Sequence, residues 1–216
     1  DAGMAVANGS NHLGAMTAIF PADGKLIEWL KPRARGPFAV VAADGGARYA
    51  ESVEYDLADF EPLISGPDEI TAIQPLGEVQ GTKVQAAYVG SCSGGRFEDL
   101  ALAAEILKGR AIHPDVRMVV TPISSRVMRE AAEKGLLAVF AAAGAAVTTP
   151  GCGACLGLLQ SPLRLAAGET CISASVENTP GRMGAEAAKI YLGNAAVVAA
   201  SALEGRIADP RPYLKA

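Results

Sequence analysis

Histidine and cysteine are scarce in this chain, with two and four copies in 216 residues. Four cysteines in a chain this long do not make a disulfide scaffold. Two histidines, His12 and His113, leave few candidates for the fourth ligand of a structural zinc site. Runs of Lys or Arg are also missing. Basic residues come in scattered groups such as "KPRAR", and the net charge is −4 with a sequence pI near 5.3. Neither nucleic acid nor an anionic membrane has an electrostatic footprint here. Apolar runs such as "LLAVFAAAGAAV" are too short for a bilayer and are broken by Gly, so they read as buried elements. The start, "DAGMAVANGSNHLGAM", has neither the basic nor the continuous apolar part of a secretory signal. A reducing cytoplasm is the expected compartment.

Half of the residues are hydrophobic, enough for a sizeable core. From residue 84 the pattern is regular: strand "VQAAYVG", helix "RFEDLALAAEILKG", strand "VRMVVTP", helices "SSRVMREAAEKG" and "LLAVFAAAG", strand "AAVTTPG". Further on, "ETCISASV" reads as a strand, and "GRMGAEAAKIYLG" and "NAAVVAASALEGR" as Ala-rich helices closed by Gly. Alternation of this kind predicts an α/β fold with a parallel sheet covered by helices. Before residue 84 the signal is weaker, with helices around "NHLGAMTAIF" and "GKLIEWLK" and then a stretch rich in Pro, Gly and Asp. The expected organisation is a partial α/β region over 1–83 packed on a main α/β unit over 84–216.

Cys92 sits in "YVGSCSGGR" and Cys152 and Cys155 in "PGCGACLG", two small-residue turns that each follow a strand. Ligands collect at the carboxyl ends of parallel strands, so both turns are candidates to face one crevice. Three thiolates from two glycine-rich turns suit an iron–sulfur cluster with one iron lacking a protein thiolate. Spacing alone does not separate this from a zinc site, inert thiols or a disulfide-exchanging pair. Cys171, alternating within "ETCISASV", reads as a small buried apolar side chain.

The stretches "YVGSCSGGRFEDLALAAEILKGR", "TTPGCGACLG" and "PGRMG" resemble the large subunit of 3-isopropylmalate dehydratase and the wider aconitase family. The resemblance covers nearly the whole chain and corresponds to the C-terminal half of that subunit. It implies a three-layer α/β fold with a parallel or mixed sheet and helices on both faces. It also implies a four-iron, four-sulfur (4Fe-4S) cluster on Cys92, Cys152 and Cys155. The implied reaction is dehydration of a hydroxy-di- or tricarboxylic acid, with the open iron as Lewis acid. Implied partners are the family's N-terminal half and a swivelling domain or small subunit that carries the catalytic serine.

Several positions depart from the family's patterns. Where the family has "SCTNGR" this chain has "SCSGGR", so Ser93 keeps a hydroxyl and Gly94 loses an amide. Where the family resembles "SNRNFxGRMG" this chain has "SVENTPGRMG", which keeps Asn178 and Arg182 but puts Glu177 in place of an Arg and Val176 in place of an Asn. A fork of donors becomes an acceptor-only carboxylate, which disfavours a doubly clamped citrate-like substrate. Against the family's "MTVCNMSIEAGA", this chain reads "MAVANGSNHLGA", with His12 in place of a Glu. His12 is therefore a candidate hydrogen-bonding or proton-handling catalytic residue. Arg182, Asn178, Glu177 and Ser93 are candidate substrate-binding residues, and Arg182 offers bidentate recognition of one carboxylate. The expected function is dehydration, with or without rehydration, of a hydroxy-dicarboxylic acid related to isopropylmalate. The alternative is a non-catalytic subunit or fragment with a structural metal site, motivated by the substitutions at Gly94, Glu177 and His12.

Overall fold

The computed structural model describes residues 2–157 and 161–214. Its helices are α1 (Ala2–Gly9), α2 (Gly24–Leu30), α3 (Leu76–Val79), α4 (Ser91–Gly94), α5 (Phe97–Leu107), α6 (Ser125–Glu133), α7 (Leu136–Ala143) and α8 (Ala195–Glu204). Its strands are β1 (Leu63–Ser65), β2 (Ile73–Pro75), β3 (Ala86–Gly90), β4 (Arg117–Thr121), β5 (Ala146–Val147), β6 (Thr170–Ser173) and β7 (Lys189–Leu192). The strands form one seven-stranded sheet in the order β2-β1-β7-β6-β3-β4-β5. From β7 to β5 the neighbours are parallel, while β1 runs antiparallel to β7 and to β2. The expected α/β class is what the chain adopts.

Alternation along the central strands explains why they read as unbroken apolar runs. Ala87 and Val89 of β3, Met118 and Val120 of β4 and Ile172 of β6 point to one face and pack with α5, α7 and α8. Ala86, Tyr88, Val119, Cys171 and Ile190 point to the other face, against Ala154, Cys155, Leu163, Leu165 and Met183. Both faces are buried, the usual condition of a parallel sheet.

Helix α8 lies in the larger core, with every residue from Ala195 to Ala202 buried. A helix apolar on all sides has no solvent face to offer, and its small side chains let it pack against both α5 and β3. Asn194 caps its start by accepting from the Val197 amide at 2.9 Å, and Gly205, in the left-handed region, closes its end. At the head of α5, the Asp99 carboxylate accepts from the Arg96 amide at 3.2 Å, the capping role expected of its acidic first turn.

Two expected helices are corrected. The stretch "GRMGAEAAKIYLG" is a turn followed by β7, not a helix. Gly181 and Gly184 have φ of 77° and 149°, and a side chain on Gly184 would overlap the backbone of Leu165, so the chain enters the sheet by a glycine-only path. Ile190 and Tyr191 then pair with Cys171 and Ile172 of β6. Near the start, helix α1 precedes "NHLGAMTAIF" rather than covering it. A single 3-10 turn, Ser10–Leu13, follows α1 and is ended by Gly14 at φ 86°. No helix among the described residues is long and apolar enough to cross a membrane.

Candidate functional site

Both cysteine turns lie over the carboxyl ends of β3 and β4. After β3 the chain passes Gly90 into α4, and Ser91 takes a φ of +63°, a strained value for a residue with a side chain. Cys92 follows directly. After β5 the chain returns to the same edge, where the Gly151 amide donates to the Pro122 carbonyl at 3.1 Å. Cys152 then starts a 3-10 turn, Gly153–Leu156, that carries Cys155.

Tyr88 ties this second turn to the sheet, its phenol donating to the Cys152 carbonyl at 2.8 Å. The ring is completely buried, and burial pushes the phenol well above its ordinary range, so it stays a donor. A Cβ on Gly153 would come within 2.8 Å of the Tyr88 oxygen and would overlap the Thr121 hydroxyl. A Cβ on Gly90 would meet the same phenol at 2.5 Å. One hydroxyl is thus wedged between the two turns. Thr121 and Thr148 pair their hydroxyls beside it at 2.7 Å.

All four cysteines are free thiols. Cys92 is half-buried, Cys152 exposed and Cys155 buried. Asn8, on α1, donates its side-chain amide to Cys92 Sγ at 3.1 Å. Arg182 donates from Nε to the Cys155 carbonyl at 2.6 Å, and another of its guanidinium nitrogens is 3.9 Å from Cys155 Sγ. The hydroxyls of Ser91 and Ser93, on either side of Cys92, are buried without a partner among the described residues. No three His, Cys, Asp or Glu side chains among the described residues are grouped as ligands of one metal ion. Cys171 is fully buried on β6 and its thiol is pushed up by burial, in keeping with a small apolar side chain.

Gly94 packs against the end of β6. A Cβ there would lie 2.6 Å from that of Ala174 and would overlap the Ala174 carbonyl. The Asn of the "SCTNGR" pattern has no room in this arrangement.

His12 and Glu177, two separate departures in the sequence, meet in the structure. His12 Nδ1 lies 2.9 Å from Glu177 Oε2, and Thr179 donates its hydroxyl to Glu177 Oε1. Burial, the largest single influence on the Glu177 carboxyl, pushes it up. The hydrogen bonds from Thr179 and His12, with the charges of His12 and Arg182, outweigh it and hold the carboxyl below its usual range. Asn178 is buried: its amide donates to the Ile190 carbonyl at 3.4 Å, and its oxygen has no partner among the described residues.

Three contributors escape a reading of the sequence. Asn8 was the most accessible, because "MAVANGSNHLGA" and "MTVCNMSIEAGA" share an Asn at that position. Tyr88 gave a weaker signal as the one hydroxyl-bearing aromatic in a strand of small apolar residues, where a buried phenol needs a partner. The Thr121 and Thr148 pair gave none.

A model of the Aconitase family (aconitate hydratase) matches residues 1–205. The chain belongs to the aconitase family. Among its aconitase-family relatives, it is 42% identical over 211 residues to 3-isopropylmalate dehydratase large subunit 1 of Methanopyrus kandleri, covering 98% of this chain and 50% of that protein. To 3-isopropylmalate dehydratase large subunit 2 of Archaeoglobus fulgidus it is 42% identical over 212 residues, with the same coverage. To the probable methanogen homoaconitase large subunit of Methanothermobacter thermautotrophicus it is 38% identical over 208 residues, covering 96% of this chain and 48% of the other. The chain spans about half the length of these aconitase-family large subunits.

Proposed function

We propose that this chain is the cluster-bearing half of a hydro-lyase that dehydrates a hydroxy-dicarboxylic acid related to isopropylmalate. The observation that carries this reading is the meeting of two cysteine turns over neighbouring parallel strands, one sulfur held by Asn8 and the other turn by Arg182. The donor set fits a 4Fe-4S cluster: three free thiols on glycine-rich turns, an amide on one sulfur, and unpartnered hydroxyls beside Cys92. Cys92, Cys152 and Cys155 would hold it, and when bound it supplies a Lewis acid for the departing hydroxyl.

The chain's own residues supply binding and orientation. Arg182, already fixed by the Cys155 carbonyl, presents the rest of its guanidinium to a substrate carboxylate. Ser93, beside Cys92, keeps a hydroxyl free for the substrate. His12 and Glu177 offer an imidazole polarised by a carboxylate. Asn178, whose amide donates to Ile190 of β7, ties the segment between Glu177 and Arg182 to the sheet. A base for the carbon-bound proton is expected from a separate swivelling domain or subunit.

Anaerobic purification of the full-length protein with its partner, followed by iron and sulfide analysis and a hydroxy-acid dehydration assay, tests this reading. About four irons and four sulfides per chain, with turnover, are expected for a cluster of this type. Stoichiometric zinc without turnover would instead leave a structural metal site.

A further inference from the structure

The contact between His12 and Glu177 joins residues 165 positions apart. Their side chains are 26% and 17% exposed, so the pair is partly shielded from solvent. Both carboxylate oxygens are engaged, one by His12 Nδ1 and the other by the Thr179 hydroxyl, and the Glu177 carbonyl accepts from the Ser175 hydroxyl at 3.3 Å. A carboxylate accepting at Nδ1 sets the ring plane and the tautomer, and leaves Nε2 as the atom for an incoming group. Nε2 has no partner among the described residues.

The segment that carries His12 also carries Asn8, which holds Cys92. The segment that carries Glu177 also carries Arg182, which holds Cys155. The pair therefore links the two segments that hold the two cysteine turns. An additional carboxylate brought to this corner would face the negative charge of Glu177 with the imidazole already committed. An apolar arm would strand Nε2 once water is excluded. A hydroxyl or amide meets neither penalty.

We propose that His12 and Glu177 form one specificity-determining unit: Glu177 positions the imidazole, His12 Nε2 takes a neutral hydrogen-bonding arm of a hydroxy-dicarboxylic acid, and Arg182 takes a carboxylate. This rests on the dehydratase reading above. Two measurements separate the failure of one from the failure of the other. In full-length, cluster-free protein labelled with nitrogen-15 at histidine, the His12 signal, identified by its loss in His12→Gln, should report a hydrogen-bonded Nδ1–H. Glu177→Gln should move that signal, and an unmoved signal overturns the unit. In the assembled enzyme, three hydroxy acids that share a dicarboxylate core and differ only in the third arm are compared: hydroxymethyl, isopropyl and carboxymethyl, the last being a tricarboxylate. The hydroxymethyl compound should lead in kcat/KM by about tenfold or more, the loss expected when one hydrogen-bonding group is left unpaired. Glu177→Gln should erase most of that lead. A lead for isopropyl or carboxymethyl overturns the specificity unit and leaves the dehydratase standing. Turnover of none of the three sinks both.

Discussion

The phenol of Tyr88 donates to the Cys152 carbonyl from within the sheet, and the same oxygen abuts Gly90 on the way to Cys92. A single hydroxyl thus sets the separation of two turns that the chain supplies 60 residues apart (152 − 92). Tyr88→Phe keeps the ring and removes the donor. The Cys152 carbonyl then keeps only the Cys155 amide, at 3.1 Å, and loss of one hydrogen bond costs about 0.5–1.5 kcal/mol. A lower urea midpoint and faster alkylation of Cys152 are expected, read by denaturation and by mass spectrometry. Unchanged alkylation would mean the turn is held by other contacts.

Gly94 sets a second constraint. Gly94→Asn restores the "SCTNGR" pattern but drives a side chain into Ala174. Overpacking of this kind costs about 1–3 kcal/mol. A fall in Tm is expected without any gain in turnover, and a neutral Tm would show that α4 can shift.

Asn8→Ala removes the donor to Cys92 Sγ. Hydrogen bonds to the sulfurs stabilise the more reduced, more negative state of a cluster. The midpoint potential should therefore move to a lower value, measured by a redox titration monitored by electron paramagnetic resonance. An unchanged potential would place the amide away from the ligand sulfur in the loaded protein.

The Glu177 carboxyl has a pH signature with a fixed sign. Its value is depressed on folding, so its contribution is fully present above the ordinary carboxylate value of about 4.3 and is lost as pH falls through the lower folded value. The stability advantage of the native protein over Glu177→Gln should shrink as pH falls through the acid range. Urea midpoints of both proteins, compared across that range, check it.

Arg182→Lys keeps the charge but not the fork. Nε, which donates to the Cys155 carbonyl, has no counterpart in lysine. KM for a hydroxy-dicarboxylic acid should rise about tenfold or more, as when a charge-assisted hydrogen bond worth roughly 1.5–3 kcal/mol is lost. An unchanged KM would remove Arg182 from carboxylate binding.

The central sheet was legible because parallel strands buried on both faces announce themselves as apolar runs such as "QAAYVG" and "RMVVT", and α8 because Asn194 and Gly205 bound an alanine-rich run. The same alanine signal misled at "GAEAAKIYLG". There, local composition favoured a helix, but glycines at 181 and 184 and pairing of Ile190 and Tyr191 with β6 made a strand. Strands β1 and β2 are only three residues each, too short for alternation to register. Within the site, the motifs that carry Cys92, Cys152, Cys155 and Arg182 stood out by residue type and order. The junction of His12 with Glu177 did not, because nothing local in a sequence reports a contact between its two ends.

That junction makes the two positions energetically dependent on each other. Replacing Glu177 by arginine alone would set a guanidinium against His12 and near Arg182, and replacing His12 by glutamate alone would set two carboxylates together. Each single step crosses an electrostatic penalty that the double step avoids. Exchanging both residues at once should therefore cost less stability than the two single exchanges added together.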